Sequence, residues 1–216
     1  MDNVLEIYRI LLKEFKEQGW WPVNDKYHSG YLKPEIKKEV LEICLGAILT
    51  QNTSWKNVEK ALDELRKNNL IDLSNLRKID IKKLAEIIKI SGYNNQKARK
   101  IKEFVKFLDS GKEITRENLL NIWGVGPETA DSILLYAYKK PIFVIDAYTK
   151  RIFNRLGFKE KSYYELQELF MKNLDKDFKI FNEYHALLVK LGKDYCKKKP
   201  LCQNCPLNKI CEFKFN

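Results

Sequence analysis

No run of eighteen apolar residues occurs in this chain of 216 residues, and no basic segment followed by an apolar one opens it. Neither a membrane span nor a secretion signal is expected, so the sequence reads as cytoplasmic and not secreted. Histidine is scarce: the two present, His28 and His185, are too far apart in sequence to suggest a catalytic pair. His185 falls among Tyr184, Leu187 and Leu188 and reads as a packed helix position. Strand periodicity is poor throughout, and low-complexity segments and tandem repeats are lacking, so no β fold or repeat array is expected. Acidic residues fall short of basic ones, 29 against 40, giving a formal charge of +11 and a pI of about 9.3. That balance favours a polyanionic partner, although a lysine- and glutamate-rich surface of a heat-adapted or AT-rich organism would also supply many of the lysines.

Hydrophobic residues make up 44% of the chain, enough for a real core in one large or two small domains. Val4, Ile7, Leu11 and Leu12 recur at helical spacing over Val4 to Phe15, and Val40, Ile43, Cys44, Ala47 and Ile48 do so over Lys38 to Leu49. Thr53 or Ser54 is placed to cap a further helix reaching about Arg66. The spacing predicts more helices over about Leu73 to Ile88, Asn95 to Leu108, Tyr163 to Leu174 and Phe178 to Gly192. Long amphipathic helices joined by short polar breaks indicate an all-α protein.

The most informative stretch runs from Leu119 to Arg151. Gly124 and Gly126 flank Val125 and supply backbone freedom, and Pro127 sits where a first helical turn accepts it. Such a turn directs backbone N–H groups outward from a helix start, where they can hold a phosphate. Asp146 follows the apolar run Ile142 to Ile145 and precedes a basic helical segment with Lys150, Arg151 and Arg155. Near the end of the chain, Cys196-x5-Cys202-x2-Cys205-x5-Cys211 crowds four thiols together, a metal signal rather than a disulfide framework in an unexported protein. Four thiolates can complete one iron–sulfur cluster; a structural zinc site would more often show two Cys-x2-Cys knuckles, and only Cys202 and Cys205 form one. Cys44, on an apolar face, reads as an inert core thiol.

Gly124-Val125-Gly126 with Thr129-Ala130, followed about twenty residues on by Val144-Ile145-Asp146, resembles the helix-hairpin-helix DNA glycosylases of the endonuclease III family. The resemblance extends to Leu49-Thr50-Gln51-Asn52-Thr53, to Gly92-Tyr93 with Lys97-Ala98, and to the cysteine loop, so it covers most of the chain from about Val40. It implies an all-α, two-lobed fold: a helical barrel with the hairpin over 34–140, and a second lobe of 1–33 with 141–216 that ends in the cluster loop. Double-stranded DNA carrying a damaged base is the implied partner, bound across a cleft by a monomer in the nucleoid. The family carries a [4Fe-4S] cluster on a similar loop, usually with six residues between the first two cysteines where this chain has five.

Residue by residue, the resemblance makes Gln51 the candidate that fills the gap left by an extruded base, since an amide both donates and accepts. Gly124, Val125, Gly126 and Thr129 become candidate DNA contacts. Trp20-Trp21-Pro22 is similar to a stretch that contributes to the base pocket in the branch removing methylated adenine, which makes Trp20 and Trp21 candidate base-stacking residues; core packing is the plainer reading. Breaking the glycosidic bond develops positive charge on the sugar, so a carboxylate such as Asp146 stabilises the transition state and can activate water. Bifunctional relatives carry a lysine where this chain has Glu128, and a carboxylate cannot form a Schiff base. Glu128 therefore points to base release without strand cleavage, unless Lys56, a further candidate for the pocket, reaches the sugar. Uracil and alkylated purines are the favoured lesions. A glycosylase with lyase activity and a non-catalytic DNA-binding module are the alternatives.

Overall fold

Helix-favouring sequence is realised as eleven α-helices among the described residues of a computed structural model, namely residues 3–28 and 37–213. No strand occurs among them; Val23 and Lys26 form one isolated bridge. Among the described residues no helix is long and apolar enough to cross a membrane. The chain divides into two compact units, Pro22–Lys26 with Lys33–Tyr138, and Met1–Trp21 with Tyr27–Leu32 and Lys139–Asn216.

The first unit is built on α2 (Lys37–Leu49), which buries Leu41, Ile43, Cys44, Leu45, Ala47, Ile48 and Leu49 and so is apolar nearly all round. Burial drives the Cys44 thiol pKa far up, as befits an inert core thiol. Around it pack α3 (Trp55–Lys67) and α6 (Asn94–Asp109). Ser54 occupies the N-cap position of α3 but makes no capping bond through its side chain. The helix expected over Leu73 to Ile88 is two, α4 (Leu73–Lys78) and α5 (Ile81–Ile87). Asp80 causes the break: its carboxylate accepts from the Lys82 and Lys83 amides, starting a new helix where the apolar periodicity alone continues the old one. The unit closes with α7 (Arg116–Leu120) and α8 (Pro127–Ser132), the latter running on as a wider π-type turn over Ile133–Ala137 whose five residues are all buried.

In the second unit α1 (Asn3–Phe15) lies against α11 (Phe178–Asp194), so segments from opposite ends of the chain share one core. Val4, Ile7 and Leu11 are buried and Leu12 sits at the margin. The buried Tyr184 hydroxyl donates to Val4 O at 2.8 Å, satisfying the one polar atom its ring carries inward. Phe143, Phe153, Phe170, Phe181 and Tyr184 form the aromatic centre, with Phe143 and Phe170 stacked at 3.8 Å between centroids. Helices α9 (Ala147–Arg155) and α10 (Tyr163–Asn173) complete the unit. A Cβ at Gly192 of α11 would stand 2.3 Å from the Tyr148 ring of α9, so these two helices approach as closely as they do only because residue 192 is glycine.

Candidate functional site

The hairpin lies between α7 and α8. The Val125 amide closes the turn on Ile122 O at 3.0 Å, and Ile122 and Val125 are buried beneath it. Gly124 has φ +79°, which strongly favours glycine, and the stem of Lys100 runs against its Cα face. Gly126 differs from expectation: its φ of −95° is open to any residue, and a Cβ there would meet nothing within 4 Å. Backbone freedom is therefore a property of Gly124 alone, and what glycine leaves at position 126 is open space in front of the α8 start. Pro127 takes the N1 position, and the first intrahelical bond runs from the Ala130 amide to Gly126 O at 2.9 Å, so the Glu128 and Thr129 amides face the helix mouth.

Gln51 is joined to this hairpin. Its Nε2 donates to Thr129 Oγ1 at 2.8 Å and to Gly124 O at 3.3 Å, while Lys100 Nζ donates to its Oε1. The structure thus brings Gln51, Gly124 and Thr129 together directly, with Lys100 of α6 bracing Gln51 from its other side. Thr129 is buried and engaged in this latch, Val125 is buried, and Glu128 is exposed in the first turn of α8. Lys56 is exposed in the first turn of α3.

The other basic residues of α6 are also engaged. Lys97 is buried, its Nζ donating to Leu49 O at 2.9 Å and Ser91 O at 2.6 Å, and burial pulls its pKa down to about 8. Lys102 donates to Leu76 O and Arg77 O. Both lysines satisfy carbonyls at helix ends that have no intrahelical donor. Arg99 instead lies 3.9 Å from the centroid of the exposed Trp123 ring.

In the other unit Asp146 is the N-cap of α9. Its Oδ1 accepts from the Thr149 amide at 2.7 Å and the Thr149 hydroxyl at 2.8 Å, which fixes the carboxylate plane. Its Oδ2 faces His185 Nε2 of α11 at 3.8 Å, and both side chains are about nine-tenths buried. Burial lowers the His185 pKa, while the Asp146 charge works in the opposite direction. His185 is packed, as its neighbours foretold; that it faces Asp146 has no signature in the sequence.

The cations after Asp146 divide. Lys150 is exposed, whereas Arg151 and Arg155 turn toward the cysteine loop. Arg151 donates to Cys196 O at 2.8 Å and Gly192 O at 3.1 Å; Arg155 donates to Lys197 O at 2.6 Å, Lys198 O at 3.1 Å and Cys196 Sγ at 3.3 Å. Helix α9 therefore carries Asp146 at one end and anchors the cysteine loop at the other. None of the four loop cysteines is in a disulfide, and they line one recess with Arg155 in its wall. Burial, then the neighbouring Cys196, Cys211 and Cys202, pushes the Cys205 thiol up to about 11. Among the described residues no three side chains of the metal-ligating types converge to hold a metal ion. The donor set is nevertheless chemically apt for a soft metal centre: four sulfurs, a guanidinium beside one of them, and thiols that ionise readily only next to positive charge.

Trp21 is buried and Trp20 half-buried, with their rings edge to face at 5.5 Å. The turn before them is held by Glu183 of α11, whose Oε1 accepts from the Gln18 amide at 2.7 Å. Burial is the main reason its carboxyl pKa rises to about 7.

Comparison with known proteins agrees with this arrangement. Residues 45–176, more than half of the chain, match the model of the HhH-GPD superfamily base excision DNA repair protein. A Methanocaldococcus jannaschii protein described as a putative DNA repair glycosylase is 44% identical over 97% of this chain and 96% of its own length. The endonuclease III of Sulfolobus acidocaldarius is 30% identical over 99% of this chain and 97% of its own. Among solved structures, the H. pylori 3-methyladenine DNA glycosylase MagIII bound to 1,N6-ethenoadenine superimposes with a TM-score of 0.69 at 29% identity, over 88% of this chain and 96% of that one. With its all-α architecture, its hairpin and an aspartate at the head of α9, the chain belongs to the HhH-GPD superfamily and is a base-excision DNA repair glycosylase.

Proposed function

We propose that this glycosylase hydrolyses the bond between a damaged base and deoxyribose and leaves the DNA strand intact, with uracil or an alkylated purine as the lesion. The observation that carries the reading is the Asp146 carboxylate, oriented through Oδ1 by Thr149 with Oδ2 left for chemistry. As the carbon–nitrogen bond breaks, its electron pair leaves with the base, and the sugar gathers the positive charge that Asp146 stabilises. Water then bonds to the anomeric carbon and gives its proton to the carboxylate. Glu128, standing where bifunctional relatives carry lysine, has no amine with which to form a Schiff base.

The hairpin and the start of α8 bind a DNA phosphate through backbone amides, in double-stranded DNA held by a monomeric protein in the cytoplasm. Trp20 and Trp21 serve the base, and Gln51 supports the duplex once the base has left it. The MagIII complex with an alkylated adenine analogue supports a purine lesion. Cys196, Cys202, Cys205 and Cys211 hold a [4Fe-4S] cluster. Four thiols that line one recess, in a loop braced by Arg151 and Arg155, would be the ligands of such a cluster, and only Cys202 and Cys205 form the Cys-x2-Cys knuckle that a zinc site more often shows twice. The cluster supplies metal–thiolate bonds that keep the loop folded. A panel of duplexes, each with a single lesion and scored for cleavage with and without alkali, tests the whole reading. Strand breaks that need alkali support it; breaks without alkali indicate a lyase, and no base release from any lesion favours the DNA-binding module.

A further inference from the structure

Nothing in the reaction just described uses His185, yet it is one of only two histidines in the chain and is buried on α11, where Asn182 and Glu183 are the other buried polar side chains. Tyr184, Leu187 and Leu188 around it are fully packed, and a leucine would fill the position without the cost of burying an imidazole. Its Nε2 stands 3.8 Å from Asp146 Oδ2, the oxygen that Thr149 does not hold. Two turns further along the same face of α11, Gly192 admits the Tyr148 ring, and Arg151 of α9 donates to Gly192 O at 3.1 Å. These contacts fix the spacing of α9 and α11, and that spacing sets the distance between His185 and Asp146.

We propose that His185 is a positioning residue for the chemistry of Asp146: its imidazole directs an Nε2–H dipole at Oδ2 and keeps that oxygen in place for the developing positive charge. This rests on the reading that Asp146 carries the reaction. A neutral donor suits the task because it orients the carboxylate without cancelling its charge, as an arginine or lysine would. Burial keeps the imidazole neutral at physiological pH. The division of the two oxygens follows: Oδ1 is locked by Thr149 for structure, and Oδ2 is steadied by His185 for catalysis.

The test compares His185→Leu and His185→Gln in the full-length protein. Read-outs are thermal unfolding, affinity for undamaged duplex, and single-turnover base release from the lesion that the wild type processes best. His185→Leu is expected to slow release by about 10–100-fold while duplex affinity stays within about threefold; His185→Gln, which retains an N–H donor, should recover most of the rate. A His185→Leu enzyme that is stably folded and as fast as wild type would overturn the proposal, as would a Gln variant no faster than the Leu one. NMR titration of the two histidines gives a second read-out that needs no activity: the His185 pKa should drop in Asp146→Asn. An unmoved His185 would sink the pairing alone, whereas a wild type inactive on every lesion would sink the assignment to Asp146.

Discussion

Asp146 Oδ2 and His185 Nε2 face each other at 3.8 Å, one at the head of α9 and the other in the middle of α11. The chain separation between them is 39 residues by number, yet the closeness depends on a third position, Gly192, where any side chain would strike Tyr148. Gly192→Ala is therefore expected to push α9 from α11, costing on the order of 1–3 kcal/mol of stability and slowing base release more than it weakens duplex binding. Chemical denaturation and single-turnover kinetics check the two halves. An Ala variant with wild-type stability would mean that Tyr148 simply swings aside.

Stability should respond to pH through two buried groups of opposite sign. Glu183 has its pKa raised to about 7, so its contribution is fully present below the unfolded value near 4.5 and is lost as pH rises through about 7. Glu183→Gln removes that loss while keeping an acceptor for the Gln18 amide. The variant should gain on the order of 1–3 kcal/mol at pH 8 relative to wild type and much less at pH 5. His185 runs the other way: with its folded pKa lowered, stability is present above the unfolded value of about 6.5 and falls as pH drops through the folded one. Unfolding of wild type, Glu183→Gln and His185→Leu across pH 5 to 8 separates the two; a Glu183→Gln benefit that does not vary with pH would contradict the first.

The Gln51 latch leads to a third expectation. Lys100 touches both Gln51 and the face of Gly124, so Lys100→Met keeps the stem and removes only the donor to Oε1. It should weaken duplex binding by about tenfold or less and lower base release to a similar degree for every lesion. Loss confined to one lesion would place Lys100 in base selection instead.

Cys202→Ser tests the cysteine loop. On the proposal that the loop holds a cluster, loss of this ligand should bleach a broad absorption near about 400 nm and lower the unfolding temperature together with activity, because α9 ties Asp146 to the same loop through Arg151 and Arg155. Colourless wild-type protein with one zinc per chain would reverse the choice of metal.

The fold was legible where periodicity is strong: α1, α2, α6, α10 and α11 start and stop within a few residues of where the apolar spacing puts them. It was misread at Asp80, where an apolar pattern continues across a break that only the aspartate's capping bonds create. In the site, Gly124 and the α9 cap at Asp146 were readable because backbone geometry and residue type coincide there. Charge was the poor guide. Lys97, Lys102, Arg151 and Arg155 add to the basic balance of the sequence but spend their donors on helix-end and loop carbonyls, a use set by which face of the helix each occupies relative to distant segments. Lys100 and His185 could not be picked out for the same reason: their partners lie 49 and 39 residues away.

The central claim, that Asp146 drives hydrolysis and that Glu128 leaves no route to a Schiff base, is tested most directly by single-turnover reactions of wild type and Asp146→Asn on one uracil and one alkylated-purine duplex, with and without borohydride. Wild type should release base, leave an abasic strand that breaks only with alkali, and give no trapped protein–DNA adduct. Asp146→Asn keeps the side chain's shape and an oxygen for the Thr149 amide while removing the charge. Its rate should fall on the order of 10²–10³-fold with duplex binding retained. Full base release by Asp146→Asn, or borohydride trapping of the wild type, would contradict the account.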